Sequence, residues 1–157
     1  MDKTRLRQAI IERITTELEM QTQAALMSRD EATHEESKPE NQYDMHAQEA
    51  AYLAEGQAKL ATELRASISL YQSLALPVFT SAQPISLGAV VTLDADGRKT
   101  RYFIGPRSGG IEVSCEGADV IVITPQSPIG RLLVGRLVGD TIKTPGRVIA
   151  QRIDAIE

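Results

Sequence analysis

The sequence predicts an α+β protein in which an N-terminal antiparallel α-helical coiled-coil hairpin precedes a small antiparallel β domain with one short helix. The distribution of glycine and proline carries this prediction. The 157 residues include 11 Gly and 7 Pro. Only Pro39 and Gly56 fall in residues 1–76, and the other sixteen fall in residues 77–157. Because both residue types disfavour helix interiors, the first half is expected to be helical and the second rich in turns.

The charge balance changes at the same boundary. Residues 1–76 carry eight basic and thirteen acidic side chains, a net charge of −5, whereas residues 77–157 carry nine and eight, a net charge of +1. Two prolines, Pro77 and Pro84, bracket a connecting segment. The expected parts are therefore a hairpin at 1–76, a linker at 77–86 and a β domain at 87–157.

The helical half carries two seams of apolar and small residues at alternating spacings of three and four, which is typical of coiled-coil helices. The first seam consists of Ile11, Ile14, Leu18, Gln21, Ala25, Ser28 and Ala32. The second consists of Ala50, Leu53, Gln57, Leu60, Leu64, Ser67, Tyr71 and Leu74. Antiparallel pairing places their strongly apolar ends together at a base, with Ile11, Ile14 and Leu18 beside Leu60, Leu64 and Tyr71. Residues 30–44 then lie at the far tip.

The turn between the helices has its own signature. Ser37-Lys38-Pro39-Glu40 fits the S-x-x-E capping box, which predicts that the second helix begins near Lys38. Residues 30–44 hold six acids and one base, a net charge of −5. Such a cluster is typical of a solvated loop, and it also suits a rod that presents carboxylates to a hard cation such as Mg²⁺. The residues alone leave both interpretations open.

Short β-branched runs alternate with turn signals after residue 86, and they predict an antiparallel sheet of about five strands. The expected strands are 87–93, 100–104, 111–115, 120–124 and one within 147–156. Asp96-Gly97 predicts a tight hairpin turn. Ser127 is a natural N-cap, Pro128 a natural first residue and Gly135 a natural C′ stop of one short helix.

Composition excludes several classes of protein. No segment approaches the ~20 consecutive apolar residues of a membrane helix, and the first thirty residues lack the apolar stretch of a signal peptide. The single cysteine, Cys115, has no histidine near it in sequence, which favours a buried structural thiol. A net charge of −4 argues against a protein that coats nucleic acid. We therefore expect a soluble, cytoplasmic protein.

The order of these parts resembles the bacterial Gre family of transcript-cleavage factors, the family of GreA and GreB, over essentially the whole chain. The segment 127–140, SPIGRLLVGRLVGD, is similar to the signature of that family's C-terminal domain. Thr144-Pro145-Gly146 and the final strand also fit. Glu40-Asn41, followed by a tyrosine and by His46-Ala47, resembles the tip of the family's coiled coil.

The resemblance implies an FKBP-like C-terminal domain that docks at the mouth of the secondary channel of RNA polymerase. It also implies a monomer whose coiled coil reaches the polymerase active centre, with RNA and DNA contacted only indirectly. Tip carboxylates would help to hold a second Mg²⁺ while the polymerase itself hydrolyses backtracked RNA, so the factor is not an enzyme alone. The implied docking residues are Ser127, Pro128, Ile129, Gly130 and Arg131.

The tip departs from the family pattern at one position. Aligning Glu40-Asn41 on the family's Glu-Asn puts Ser37 where the family has aspartate, and a hydroxyl is a poorer Mg²⁺ ligand than a carboxylate. Glu36 and Asp44 join Glu40 as candidate ligands. Three functions remain open: a cleavage-stimulating factor, a channel-binding regulator without cleavage stimulation, and a peptidyl-prolyl isomerase. A plain coiled-coil adaptor is the residual alternative.

Overall fold

A computed structural model describes residues 1–33, 45–144 and 149–157. Two long helices, α1 (Lys3–Thr33) and α2 (Met45–Gln72), precede the strands, and a short helix, α3 (Pro128–Leu133), follows the fourth strand. The strands are β1 (Val90–Ala95), β2 (Arg98–Ile104), β3 (Glu112–Cys115), β4 (Ala118–Ile123), β5 (Thr141–Ile142) and β6 (Gln151–Ile156).

The chain divides into two compact units. The sheet unit contains residues 1–13 and 69–157, and the helical unit contains residues 14–68. Each long helix therefore contributes one end to the sheet unit and the rest to the helical unit. None of the described helices is long and apolar enough to cross a membrane.

On α2, burial departs from the predicted seam at Leu53 and Leu60, which are exposed, whereas Gln57, Leu64 and Ser67 of that seam are half-buried or buried. Ile14 and Ser67 are buried, as predicted, but Ala61 is buried while Leu60 is exposed. The predicted place of Leu60 in the seam is therefore wrong. A spacing of three and four also runs through Ala54, Gln57, Ala61 and Leu64, all at least half-buried, and the sequence pattern does not distinguish Ala54 and Ala61 from the leucines that precede them.

The six strands form one mixed sheet in the order β3-β4-β2-β1-β6-β5. The predicted antiparallel sheet of about five strands is wrong in two respects, because β2 and β4 are parallel and the two-residue β5 adds a sixth strand. The chain leaving β2 forms β3 at the sheet edge and returns as β4 between β3 and β2. Its connection includes Ser108 and Gly110, whose φ angles are 57° and 97°.

The predicted hairpin turn between β1 and β2 is confirmed. Asp96 and Gly97 have φ angles of 52° and 84°, and positive φ at both central residues is what the favoured two-residue turn requires. The Gly97 N–H donates a hydrogen bond of 2.7 Å to the Asp94 carboxylate. The turn thereby fixes the register in which β1 and β2 pair.

The two faces of the sheet are covered by different elements. One face packs against Leu133 of α3, in a cluster whose strand members include Val91, Leu93, Tyr102, Ile104, Ile123 and Ile153. On the other face the ring of Phe103 lies 6.5 Å from that of Tyr71, between centroids. Tyr71 is fully buried near the end of α2 and donates its hydroxyl proton to the Arg107 carbonyl at 2.7 Å. The second face is thus closed partly by α2.

A candidate docking surface around the third helix

Helix α3 is fixed by a network at its first turn. The Ser127 hydroxyl accepts a hydrogen bond from the Gly130 N–H at 3.0 Å and donates one to the Thr124 carbonyl at 2.8 Å. Pro128 occupies the first turn, where its missing N–H costs nothing. Gly135 follows the helix with a φ of 84°. The predicted cap, start and stop of this helix are confirmed.

The five predicted docking residues divide into two groups. Pro128 and Arg131 have exposed side chains. Ile129 is half-buried against the core, and Gly130 lies where a Cβ would overlap the Thr124 carbonyl. Since Ser127 is occupied by its capping bonds, Pro128 and Arg131 are the members that a partner can reach directly. The other three shape the helix that presents them.

Exposed apolar side chains adjoin α3 on two segments that are hydrogen-bonded to each other. The Gly135 N–H donates to the Ile85 carbonyl, and the Ile85 N–H donates to the Arg136 carbonyl, both at 2.8 Å. Residues after Ile85 therefore run close to the C-terminal end of α3. We define the α3 surface as the exposed residues of these segments and of the helix: Leu87, Pro128, Arg131, Val134, Arg136 and Leu137.

Sequence reasoning missed four residues of the α3 surface. Leu87 was expected inside a strand, and the sequence assigned no docking role to Val134, Arg136 or Leu137. Arg136 is exposed, and the side chains of Leu87, Val134 and Leu137 are each about two-fifths exposed, at 40–41%. The position of Gly135 could have indicated this exposure from the sequence. A helix ends at such a glycine, so the apolar residues next to it need not lie on the buried face of the helix.

The N-terminal end of α1 fastens the segment that leads to this surface. Lys3 Nζ donates hydrogen bonds to the carbonyls of Pro77 and Gly88 and lies 4.9 Å from the centre of the Phe79 ring. Burial lowers the pKa of Lys3 from its ordinary value, against the raising influence of Glu157. The Lys3 ammonium group therefore contacts three residues of the segment that connects α2 to β1.

A second cluster of charges lies at the open end of the sheet. Asp94, Arg152 and Asp154 line a shallow cavity of about 360 Å³ together with Asp96, Gly97, Thr141 and Ala150. Lys99 donates a hydrogen bond of 2.8 Å to Asp154, and this contact lowers the pKa of Asp154 and raises that of Lys99. The carboxylate is thus already paired with a cation.

The predicted tip residues Glu36, Ser37, Glu40, Asn41 and Asp44 lie outside the described residues. No group of three or more His, Cys, Asp or Glu side chains within 1–33, 45–144 and 149–157 could hold a metal ion. Cys115 is buried and free, and burial is the largest cause of its raised pKa. Of the two predicted functional regions, the tip and the docking segment, only the docking segment lies within the described residues, and it forms part of the α3 surface.

Comparisons with solved structures find that this chain is similar to several, three of which follow. The crystal structure of GreA factor homolog 1 (Gfh1) of Thermus thermophilus is 20% identical, with 94% of each chain covered and a TM-score of 0.38. A structure of the transcription factor Gfh1 is 23% identical, with 95% of this chain and 94% of that chain covered and a TM-score of 0.39. Thermus aquaticus Gfh1 is 23% identical, with 93% and 92% covered and a TM-score of 0.37. No protein-family model and no curated protein matches the chain.

Proposed function

We propose that this chain is a Gre-type accessory factor that binds bacterial RNA polymerase at its secondary channel. The sheet unit docks through the α3 surface, and the acidic tip at 30–44 reaches toward the active centre. There it stimulates the Mg²⁺-dependent cleavage of backtracked RNA that the polymerase itself performs. The chain acts as a monomer in the cytoplasm and meets RNA and DNA only through the polymerase.

The segment 127–140 is the observation that carries this proposal. Its sequence is similar to the Gre signature. Ser127 and Gly130 stabilise the start of the helix, whereas the side chains of Pro128 and Arg131 are exposed to a partner. Two bases amid exposed apolar side chains suit a protein partner with acidic groups, since arginine is favoured at protein interfaces.

The tip carboxylates have a chemical role in this proposal. Glu40, with Glu36 or Asp44, would supply oxygen ligands to the second Mg²⁺ of the polymerase. In two-metal hydrolysis one ion activates water and the other stabilises the leaving oxygen. Mg²⁺ prefers such oxygen ligands and is usually shared between a few carboxylates and the substrate. The added carboxylate ligands would therefore keep the second Mg²⁺ bound at the polymerase active centre for longer.

A second candidate function follows from Ser37. This residue stands where the family pattern has aspartate, so the tip could enter the channel and change initiation or pausing without stimulating cleavage. The peptidyl-prolyl isomerase alternative needs an aromatic-lined pocket. Tyr102 and Phe103 are buried in the sheet unit, and Phe79 lies under Lys3. These placements argue against an isomerase.

Binding to RNA polymerase core enzyme tests the docking step. Replacing Arg131 and Arg136 together by alanine should weaken binding about tenfold, because exposed bases at an interface centre are common hot spots. Arg98→Ala is the matched control, since Arg98 is an exposed base at the β1–β2 hairpin. Equal loss in both variants would remove the α3 surface from the proposal, and no binding by the natural chain would overturn the proposal itself.

A backtracked elongation complex separates the two candidate functions. Shortened RNA on addition of the chain with Mg²⁺, lost in Glu40→Ala, supports cleavage stimulation. Binding without shortened RNA supports the regulator. Ser37→Asp should raise cleavage because it restores a carboxylate, and Glu55→Gln, on α2 outside the tip, should leave it unchanged.

A further inference from the structure

Strand β3 forms one edge of the sheet, because β4 is its only neighbour among the described strands. The Val122 N–H of β4 donates a hydrogen bond of 2.8 Å to the Ile111 carbonyl, directly before β3. Backbone groups that point toward and away from a neighbour alternate along an antiparallel strand. The N–H and C=O groups of Glu112 and Ser114 therefore point away from β4, and they offer two donors and two acceptors to an added strand.

This edge is regular over its whole length. The four residues of β3 pair with four consecutive residues of β4 without a bulge. Glu116 and Gly117, which join the two strands, have φ angles of 52° and 75°, and positive φ at both central residues is typical of the tight two-residue hairpin turn. The strand at the opposite edge, β5, has only two residues. The edge of β3 is therefore the longer of the two that could accept another strand.

The side chains at the edge of β3 are acidic or polar on one face and apolar on the other. Glu112 and Ser114 are exposed, and so is Asp119, which lies opposite Ser114 on β4. Val113 and Cys115 are buried on the other face. Because side chains alternate between the two faces of a strand, an added strand would meet carboxylates on one face and an apolar row on the other.

The hairpin of β3 and β4 contains acids and no base. Residues 108–130 include no Lys, Arg or His, and their acids are Glu112, Glu116 and Asp119. Pairing this edge with the same edge of a second copy would add carboxylates without adding a base, and nucleic acid is a poor partner for such a surface. A basic segment of another protein has the complementary charge.

The bases that surround the hairpin do not stand at its edge. Arg98 shares a face with Asp119 but lies on β2, two strands in from the edge, and Arg101 of the same strand lies on the apolar face. Arg5 pairs with Asp2 at 3.5 Å, at the start of α1. The neighbouring bases at the open end of the hairpin, before β3 and after β4, are Arg107 and Arg131. The acidic face of the edge is therefore open to a base that a partner supplies.

We propose that the free edge of β3 binds an extended segment of another protein in which two basic residues flank an apolar one. The segment adds to the sheet as an antiparallel strand through the outward backbone groups of Glu112 and Ser114. One base pairs with Glu112, and the other passes over the small side chain of Ser114 toward Asp119. The apolar residue between them lies beside Val113 on the other face. This contact is separate from the α3 surface and does not depend on the proposed function.

A short synthetic peptide in which lysine alternates with valine tests the charges of this edge. Fluorescence anisotropy should show saturable binding to the full chain, and Glu112→Lys with Asp119→Lys should weaken it at least about tenfold, because like charges opposite each other are strongly unfavourable. Glu55→Lys with Glu63→Lys is the matched control, since these exposed acids of α2 give the same change in net charge. Equal loss in both double variants would show attraction by net charge alone and would overturn the inference.

The backbone of the edge gives an independent measurement. Ser114→Pro removes an outward N–H and leaves the bonds to β4 in place, so it should weaken peptide binding several-fold, whereas Ser114→Ala should not. Urea denaturation checks that both variants fold. The same peptide with N-methylated lysine amides keeps its charge and loses its donors, so it should bind much more weakly to the natural chain. Equal affinity of the methylated and unmethylated peptides would overturn strand addition.

The oligomeric state of the natural chain tests the choice of partner. Sedimentation velocity should show no dimer that Ser114→Pro abolishes, because a second copy brings acids to acids. A dimer with that behaviour would assign the edge of β3 to a second copy and overturn the basic partner.

Discussion

Gly105, directly after β2, packs against the side chain of Tyr71 near the end of α2. A Cβ on residue 105 would overlap the Tyr71 hydroxyl, whose hydrogen bond to the Arg107 carbonyl holds it in place. Gly105→Ala should therefore lower the free energy of unfolding by ~1–3 kcal/mol, the usual cost of overpacking a filled interior. Urea denaturation followed by circular dichroism measures it.

The contact between Gly105 and Tyr71 also predicts how the stability losses of two substitutions combine. Tyr71→Phe should cost about 1 kcal/mol through the lost hydrogen bond, but it removes the atom that collides with a Cβ at residue 105. The double variant should then lose less stability than the sum of the single losses. Strict additivity would show that the overlap is relieved elsewhere. Gly56→Ala, where a Cβ meets open space, should instead stabilise its helix by ~1 kcal/mol.

Tyr71 also predicts a pH dependence of stability. Burial raises the pKa of its phenol well above the ordinary value of 10.0, so the folded chain keeps a proton that the unfolded chain releases. The stabilisation is fully present below pH 10 and is lost as the pH rises further. The urea midpoint of the natural chain should fall above pH 10 more steeply than that of Tyr71→Phe. Parallel pH profiles of the two proteins would contradict this role.

At the scale of elements, the placement of Leu60 and Ala61 on α2 can be tested directly. Ala61 is buried and Leu60 is exposed, so Ala61→Leu should overpack the seam and cost ~1–3 kcal/mol. Leu60→Ala should change stability by no more than ~0.5 kcal/mol, as is usual for surface substitutions. Thermal unfolding of both variants tests this placement, because a seam with Leu60 inward and Ala61 outward predicts the opposite order of stability.

Local turn and cap chemistry could be predicted from the sequence, whereas pairing between distant strands could not. Asp96-Gly97 and Ser127-Pro128 act through bonds within a few residues, and both features are present. Thr141-Ile142 is too short to show a period of two, so its strand was missed. The parallel pairing of β2 with β4 depends on where the connection through Ser108 leads, and turn residues alone do not specify that path.

The same limit applies to the candidate docking surface. The residues of the motif at 127–131 could be singled out from the sequence, but exposure decides which of them a partner reaches. Ile129 and Gly130 are packed inward, while Arg131 is exposed. Leu87 joins the α3 surface only because residue 85 pairs with residues 135 and 136. No spacing along the chain encodes a contact across fifty residues.

At the scale of the whole molecule, stability is distributed unequally between the two units. The buried side chains described in the helical unit are those of Ile14, Ala61 and Ser67, whereas the sheet unit buries both faces of its central strands. Segments that bury little apolar surface open at lower free energy than the core. We therefore expect residues 14–33 and 45–68 to exchange their amide hydrogens through partial openings that leave β1, β2 and β4 protected.

Native-state hydrogen exchange measured by mass spectrometry at low denaturant tests this order. Ile14→Ala should accelerate exchange in residues 14–33 and 45–68 without changing β1 or β2, because it truncates the one large aliphatic side chain that is fully buried in the described helical unit. Gly105→Ala should accelerate exchange in the strands as well. If helices and strands exchange with one common free energy in the natural chain, the two units open together and the helical unit is not the less stable one. If the helices open first, the helical unit is the part of the chain that a partner can order on binding.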